Sequence, residues 1–211
     1  MVSEALTQCK NDIQNIYALE SWVTEQDVAS IKVTEIDPGT MKKISSLATP
    51  PQVLAILKKP VWTRPLAFKG LTIILDTIQD PGNLGTIIRT ADWFGVKNIV
   101  CSEGSVDCYN PKVIQSTMGS IFRMQVFYED IVNLVKAHPS SAVLAASLEG
   151  TPLYEDEKWS DLFLVIGNES AGIRQEIQQI ASRKVLIPRL GNAESLNAAV
   201  ATGILLYELT T

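Results

Sequence analysis

From Leu71 onward the chain alternates short apolar runs with helical patterns, and this alternation restricts the fold more than any other feature. LTIILD (71–76), NIVC (98–101), MQVFY (124–128), AVLAAS (142–147), LFLVIG (162–167) and VLI (185–187) read as strands. Residues 83–94, a stretch beginning at Pro111, 130–137, 173–181 and 195–209 read as helices. Uniformly apolar strands separated by helices are buried on both sides. The pattern therefore predicts an α/β fold, a mainly parallel sheet with helices on both faces. Ligands of such sheets bind beyond the carboxyl ends of the strands. No apolar run is long enough to span a bilayer, so no membrane partner is expected.

Residues 1–65 lack this texture and read as a separate small α+β domain, with 66–211 as the larger one. Leu6, Ile13, Ile16, Tyr17 and Leu19 fall mostly on one helical side, which predicts a helix over 3–19. Trp22 and Val23 begin a short strand. IKVTEI (31–36) alternates like a half-exposed strand, Asp37-Pro38-Gly39 is a turn, a helix capped by Thr40 follows, and 52–57 is a strand. KKPVWTRPLAFKG (58–70) reads as a linker. Its basic side chains lie near Trp62 and Phe68, a composition that suits a solvated linker or an RNA contact.

The net charge is −5, which argues against indiscriminate nucleic-acid binding but allows a local basic patch. Residues 1–65 hold seven basic and seven acidic side chains, so the larger domain carries the whole imbalance. Arg64, Lys69, Arg123 and Arg174 are candidates for a pooled RNA groove. Cys9, Cys101 and Cys108 include no C-x-x-C pair, so neither a disulfide framework nor a metal site is expected. A reducing, cytoplasmic location fits this usage, and the first residues lack a secretion-signal pattern.

Three polar clusters follow strands. After 71–76 comes DTIQDPGNLGTIIRTADWFG, with Asn83 able to cap a helix, Gly85 permitting close backbone approach and Arg89 one turn further on. Arg suits a phosphate or carboxylate, or an internal pair with Asp92 or Asp76. After 162–167 comes GNESAG, where Gly167 and Gly172 bracket Asn168, Glu169 and Ser170. After 185–187 comes PRLGNAESLN, where Ser195 sits at a predicted N-cap. Beyond it Leu196, Ala199, Val200, Gly203, Ile204 and Tyr207 recur with helical spacing, which predicts one buried face. Each cluster taken alone is also what an ordinary connection looks like.

In order and spacing the three clusters resemble the motifs of the SpoU (TrmH-like) family of SPOUT RNA 2′-O-ribose methyltransferases. The matching stretches are N-x-G-x-x-x-R-T-A at 83–91, G-N-E-x-x-G at 167–172 and I-P-x-x-G-x-x-E-S-L-N at 187–197. The resemblance covers roughly residues 70–211. It implies S-adenosylmethionine-dependent 2′-O-methylation of a ribose in rRNA or tRNA, a C-terminal trefoil knot and a homodimer. It also implies that Gly167, Asn168, Gly172, Ile187 and Leu196 hold the cofactor, with Ser147 nearby. Arg89 would be the catalytic residue, with Asn83, Glu169, Ser195 and Asn197 around the reacting ribose. Residues 1–65 resemble the family's small RNA-binding domain, here short at its N-terminus. Ala199 departs from the small polar residue common in the family.

A ribose hydroxyl must lose a proton as it attacks the methyl, and no metal is required for that. The single histidine, His138, lies far in sequence from all three motifs. A guanidinium is rarely neutral, so a role for Arg89 in binding phosphate and stabilising the developing alkoxide is chemically easier than a role as true base. Two alternatives stand beside this reading. One is a non-catalytic RNA-binding member of the same fold, against which the intact polar residues argue. The other is a dinucleotide- or phosphate-loop enzyme, whose glycine motifs are absent.

Overall fold

The computed structural model describes residues 1–211 apart from 26, 27, 29, 30 and 154–158. It divides into two compact units, Met1–Val61 and Trp62–Thr211.

The first unit runs α1 (Val2–Gln8), β1 (Ile13–Ala18), α2 (Glu20–Val23), β2 (Val33–Glu35), α3 (Pro38–Ile44) and β3 (Val53–Leu57). β1 lies between β2, to which it is parallel, and β3, to which it is antiparallel. The helix expected over 3–19 therefore ends at Gln8. Ile13, Ile16 and Tyr17 imitate a helical period, but they are β-branched or aromatic. Ile16 and Ala18 alternate inward as a central strand. Trp22 lies on the single-turn α2, not on a strand, and packs with Ile16, Ala18 and Val28. The cap of α3 is Asp37 rather than Thr40. Pro38 has no N–H to leave unpaired and starts the helix early. The Asp37 carboxylate then accepts hydrogen bonds from the Gly39 and Thr40 amides and from the Thr40 hydroxyl.

In the second unit β4 (Gly70–Asp76), α4 (Pro81–Trp93), β5 (Asn98–Cys101), α5 (Pro111–Thr117), β6 (Gln125–Tyr128) and α6 (Ile131–Ala137) come first. They are followed by β7 (Ala142–Thr151), β8 (Asp161–Gly167), α7 (Gln175–Ile180), β9 (Arg183–Val185) and α8 (Ala198–Thr210). The strand order is β6-β5-β4-β8-β7-β9, and every pairing is parallel. Side chains alternate across β4. Ile73 and Leu75 meet Leu84, Ile87 and Ile88 of α4, Val113 of α5 and Leu205 and Leu206 of α8. Ile74 turns the other way, into a core shared with Phe68, Ile131 and Leu134 of α6 and Ile177 of α7. The expected helices on both faces are present. Among the described residues no helix is long and apolar enough to cross a membrane.

The strand order places a topological switch between β4 and β8. The chain leaves β4 for α4 on one face and leaves β8 for α7 on the other. A crevice opens beyond the carboxyl ends of strands that part in this way. Asp76 and Gly167, the last residues of the two strands, are paired in register at its floor.

Several boundaries move from their expected places. α4 is capped by Asp80, whose carboxylate accepts the Asn83 amide at 2.8 Å, because Pro81 occupies the first helical position. α8 is capped by Asn197, not Ser195. β9 spans Arg183–Val185, so Leu186 and Ile187 lie beyond the strand. Of the stripe expected to be buried, Ala199 is buried and Gly203 half-buried, while Leu196, Val200, Ile204 and Tyr207 are exposed. Ala198, Ala199, Thr202, Leu205 and Leu206 are the residues α8 turns inward. A helix that is apolar all round does not reveal its buried face by spacing.

Candidate active site

Because Asp80 caps α4, the side chain of Asn83 is released from its own helix and reaches across the crevice. Its amide nitrogen donates to Glu169 Oε1 in the loop after β8. Its carbonyl oxygen accepts from Asn197 Nδ2 at 2.8 Å. Asn197 Oδ1 meanwhile accepts the Ala199 amide at 2.9 Å and caps α8. One continuous chain, Glu169–Asn83–Asn197, thus joins three motifs that are 86 and 114 residues apart across its two links. Glu169 and Asn197 are exposed and Asn83 is half-buried.

Beneath this chain the loops after β4 and β8 are bonded to each other. The Asp76 carboxylate is fully buried and accepts the Arg174 backbone N–H and Nε, each at 2.8 Å. Asn168 Nδ2 donates to the Thr77 carbonyl at 2.9 Å, and Asn168 Oδ1 accepts the Ser170 and Ala171 amides. A β-bridge between Asn168 and Gly172 closes the loop. A Cβ on Gly167 would lie 2.3 Å from the Gly172 carbonyl carbon, so only glycine permits this closure. Gly85 is equally constrained. A Cβ there would stand 2.4 Å from Ser116 Cβ and 2.6 Å from the Val113 carbonyl oxygen, so the close approach it permits is that of α5.

Arg89 is exposed on α4 and forms no hydrogen bond or ion pair with any described residue. The two carboxylates it was weighed against are engaged elsewhere. Asp76 binds Arg174, and Asp92 accepts Arg123 at 2.7 and 3.0 Å. Burial raises the Asp92 carboxyl, but the hydrogen bonds from Arg123 and Ser120 outweigh it and hold the group below its usual range. The four basic side chains expected to pool into an RNA groove each lie against a carboxylate in this protomer. Arg64 pairs with Glu129, Lys69 with Asp161, Arg123 with Asp92 and Arg174 with Asp76 and Glu176.

From Ile187 to Leu196 no backbone N–H has an acceptor among the described residues. Leu190 is fully exposed and Leu196 about half so, while Ile187 packs against the core. Ser195 is exposed in this loop. Ser147 lies half-buried on β7 and accepts the Glu149 amide. Unpaired amides beside apolar side chains match a ligand with one flat apolar end and polar remaining groups. Among the described residues no three His, Cys, Asp or Glu side chains are grouped to hold a metal.

The sequence suggested Asp76 only as a partner for Arg89 and Arg174 only as an RNA contact, and it gave Thr77 no role, whereas Asp76 and Arg174 bind each other. The signal was an Asp closing the otherwise apolar strand LTIILD, since a carboxylate at the end of a buried strand needs a partner.

The profile of the SpoU rRNA methylase family matches residues 70–207. A 23S rRNA (guanosine(2553)-2′-O)-methyltransferase of Bacillus subtilis is 35% identical over 169 residues, which is 79% of this chain and 67% of that one. Among solved structures, a TrmH-family protein from Porphyromonas gingivalis superposes with a TM-score of 0.86 at 33% identity, covering 98% of this chain and 85% of that chain. An AdoMet-bound rRNA methyltransferase from Sinorhizobium meliloti superposes with a TM-score of 0.83 at 29% identity, covering 98% and 83%. The chain spans about two thirds or less of the length of the curated relatives it matches.

Proposed function

Because this chain belongs to the SpoU rRNA methylase family, we propose that its second unit methylates the 2′-hydroxyl of a ribose in rRNA or tRNA, with S-adenosylmethionine as donor. The observation that carries this reading is the Glu169–Asn83–Asn197 chain. It gathers the three motif loops at the switch point of the sheet. The AdoMet-bound Sinorhizobium structure supports the cofactor, and the loop from Ile187 to Leu196 offers groups that suit it: amides for the polar ends, Leu190 and Leu196 for the base.

When bound, the cofactor supplies an electrophilic methyl on a sulfonium. The protein's task is to orient the ribose oxygen in line with that methyl, to hold the developing negative charge and to let the proton leave. Arg89 has a guanidinium unclaimed by any described carboxylate. It binds a phosphate next to the target ribose and stabilises the developing alkoxide; as the O–C bond formed, the donor's S–C bond would break to leave a thioether, and the hydroxyl proton would pass to solvent at this exposed site. Glu169 keeps a second carboxylate oxygen beyond its bond to Asn83, and Asn83 and Asn197 fix its direction. Ser195 and Asn197 flank the sugar.

In this reading the protein is a homodimer. Val200, Ile204 and Tyr207 expose an apolar stripe on α8, and α8 packs beside α4, with Gly203 next to Thr90. Trp93 on α4 is also 84% exposed. Covering such a surface with a second copy removes it from water. The family's C-terminal trefoil knot belongs to the same reading. The small unit serves as the RNA-holding domain, and the absence of a C-x-x-C pair among the three cysteines suits a reducing cytoplasm.

The test is methyl transfer to unmodified ribosomal RNA and tRNA by wild type and Arg89→Lys. Loss of the bidentate fork lowers kcat/KM about 100-fold, or roughly 2.7 kcal/mol. Near-normal turnover in the lysine variant refutes the role given to Arg89. Absence of cofactor binding in calorimetry with wild-type protein refutes the activity itself.

A further inference from the structure

We infer that Asp76, Arg174 and Asn168 form a latch that sets the relative position of the reacting groups without touching them, so that Arg174 is a positioning residue and not an RNA contact. This rests on the methyltransferase reading above. Asp76 ends β4 with its carboxylate wholly buried. That carboxylate takes three donors: the Arg174 amide on Oδ2, and Arg174 Nε and the Thr77 hydroxyl, at 3.2 Å, on Oδ1. Asn168 grips the same segment from the other end of its loop, through the Thr77 carbonyl. The segment 76–77 is therefore bonded to both ends of the 168–174 loop.

Thr77 shows that this grip has a conformational cost. Its φ is 61°, a left-handed value that a β-branched residue adopts only when its surroundings impose it. The Ser102 hydroxyl accepts its amide at 2.8 Å while Asn168 takes its carbonyl, so both backbone groups of a strained residue are held. A buried carboxylate is also an expensive way to hold two loops together, since apolar packing would serve stability as well. What the ion pair adds is direction. Glu169 projects from inside the clamped loop, and Asn83 projects from the helix that begins just after Thr77. Displacing one loop against the other separates the two ends of the Asn83–Glu169 bond. Arg174 also donates to Glu176 at 2.9 Å, so two carboxylates already share its charge.

The decisive variants are Arg174→Ala and Arg174→Lys, because nearly half of the Arg174 side chain faces solvent and the fold tolerates its loss better than that of buried Asp76. Both are assayed on unmodified ribosomal RNA with saturating cofactor. For Arg174→Ala kcat falls about 10- to 100-fold, the range expected when reacting groups shift by about 1 Å. The cofactor Kd from calorimetry and the salt dependence of RNA binding stay as in wild type. Arg174→Lys, which keeps a cation and the backbone donor, recovers part of the loss. Hydrogen exchange of the amides of Ser170, Ala171, Gly172 and Arg174 quickens in Arg174→Ala, while the strands of the sheet keep their protection.

Two results overturn the latch. If RNA affinity and its salt slope drop with kcat unchanged, Arg174 is a phosphate contact. If the melting temperature drops with kcat and loop exchange unchanged, the pair is only structural. A wild-type chain that methylates no RNA refutes the functional reading instead, and the exchange measurement still decides whether the latch exists.

Discussion

Replacing Gly85 by alanine sets two effects of opposite sign against each other. In a helix interior the change is worth about 1 kcal/mol in favour of alanine. Against it stands the packing of α4 on α5. The added Cβ meets Ser116 Cβ at 2.4 Å and the Val113 carbonyl oxygen at 2.6 Å. Non-bonded carbon atoms rest about 3.5–4.0 Å apart, so the helices must separate by roughly 1 Å. One of the obstacles is backbone, and no rotamer change relieves it. Overpacking of this kind costs about 3 kcal/mol, which leaves a net loss of about 2 kcal/mol after the propensity gain. For a domain of this size that lowers the melting temperature by about 4–8 °C. The same displacement moves the first turn of α4, and with it Asn83 and Arg89, so turnover falls about 100-fold. Denaturant melts and methyl-transfer assays on the purified variant measure both. A Gly85→Ala protein that is more stable than wild type, with full activity, would show that α5 gives way freely and that the contact does not govern the site.

Three further outcomes are expected. Ile204→Glu places a charge in the exposed stripe on α8 and converts a dimer to monomers in sedimentation velocity, with the monomer still folded by circular dichroism. Arg123→Ala destabilises the protein near neutral pH by about 1 kcal/mol. The native Asp92 carboxyl lies below its unfolded value, so its contribution is present above about pH 3.9 and lost as pH falls through the native value. Urea melts of wild type and Arg123→Ala therefore converge in acid, and a constant gap between them refutes the pairing. Native protein treated with iodoacetamide is labelled at Cys9 alone. Cys101 and Cys108 are buried, and burial drives the Cys101 thiol far above its usual range. Mass spectrometry that finds rapid modification of either residue contradicts their burial.

The second unit was legible where its residues could have only one environment. LTIILD, LFLVIG and AVLAAS are apolar without alternation, and strands of that kind lie inside a covered parallel sheet. Two of the three polar clusters were visible as motifs for a related reason, since Gly167 and Gly85 occupy places where any side chain collides with backbone. The first unit was less legible. Ile13, Ile16 and Tyr17 fit a helical spacing, and only the pairing with β2 and β3, with its register shift between Ile13 and Asn15, selects the strand.

Caps and partners were the least legible part. Asn83 and Ser195 are both good caps by composition, yet Pro81 moved one helix start back to Asp80 and Asn197 took the other. The consequence reaches the chemistry, because the Asn83 carbonyl oxygen, not needed as a cap, accepts from Asn197 instead. Arg174 was read as an RNA contact for similar reasons. Its charge is plain in the sequence, but the carboxylate that engages it lies 98 residues away.

The sequence alone therefore determined the layers of the second unit and the identity of its polar loops, because burial and steric exclusion act residue by residue. Which carboxylate meets which guanidinium, which asparagine is free to reach across the crevice, and which face of α8 stays exposed were decided only by the tertiary structure. Each of these depends on the distance between groups far apart along the chain, and short-range spacing carries no information about such distances.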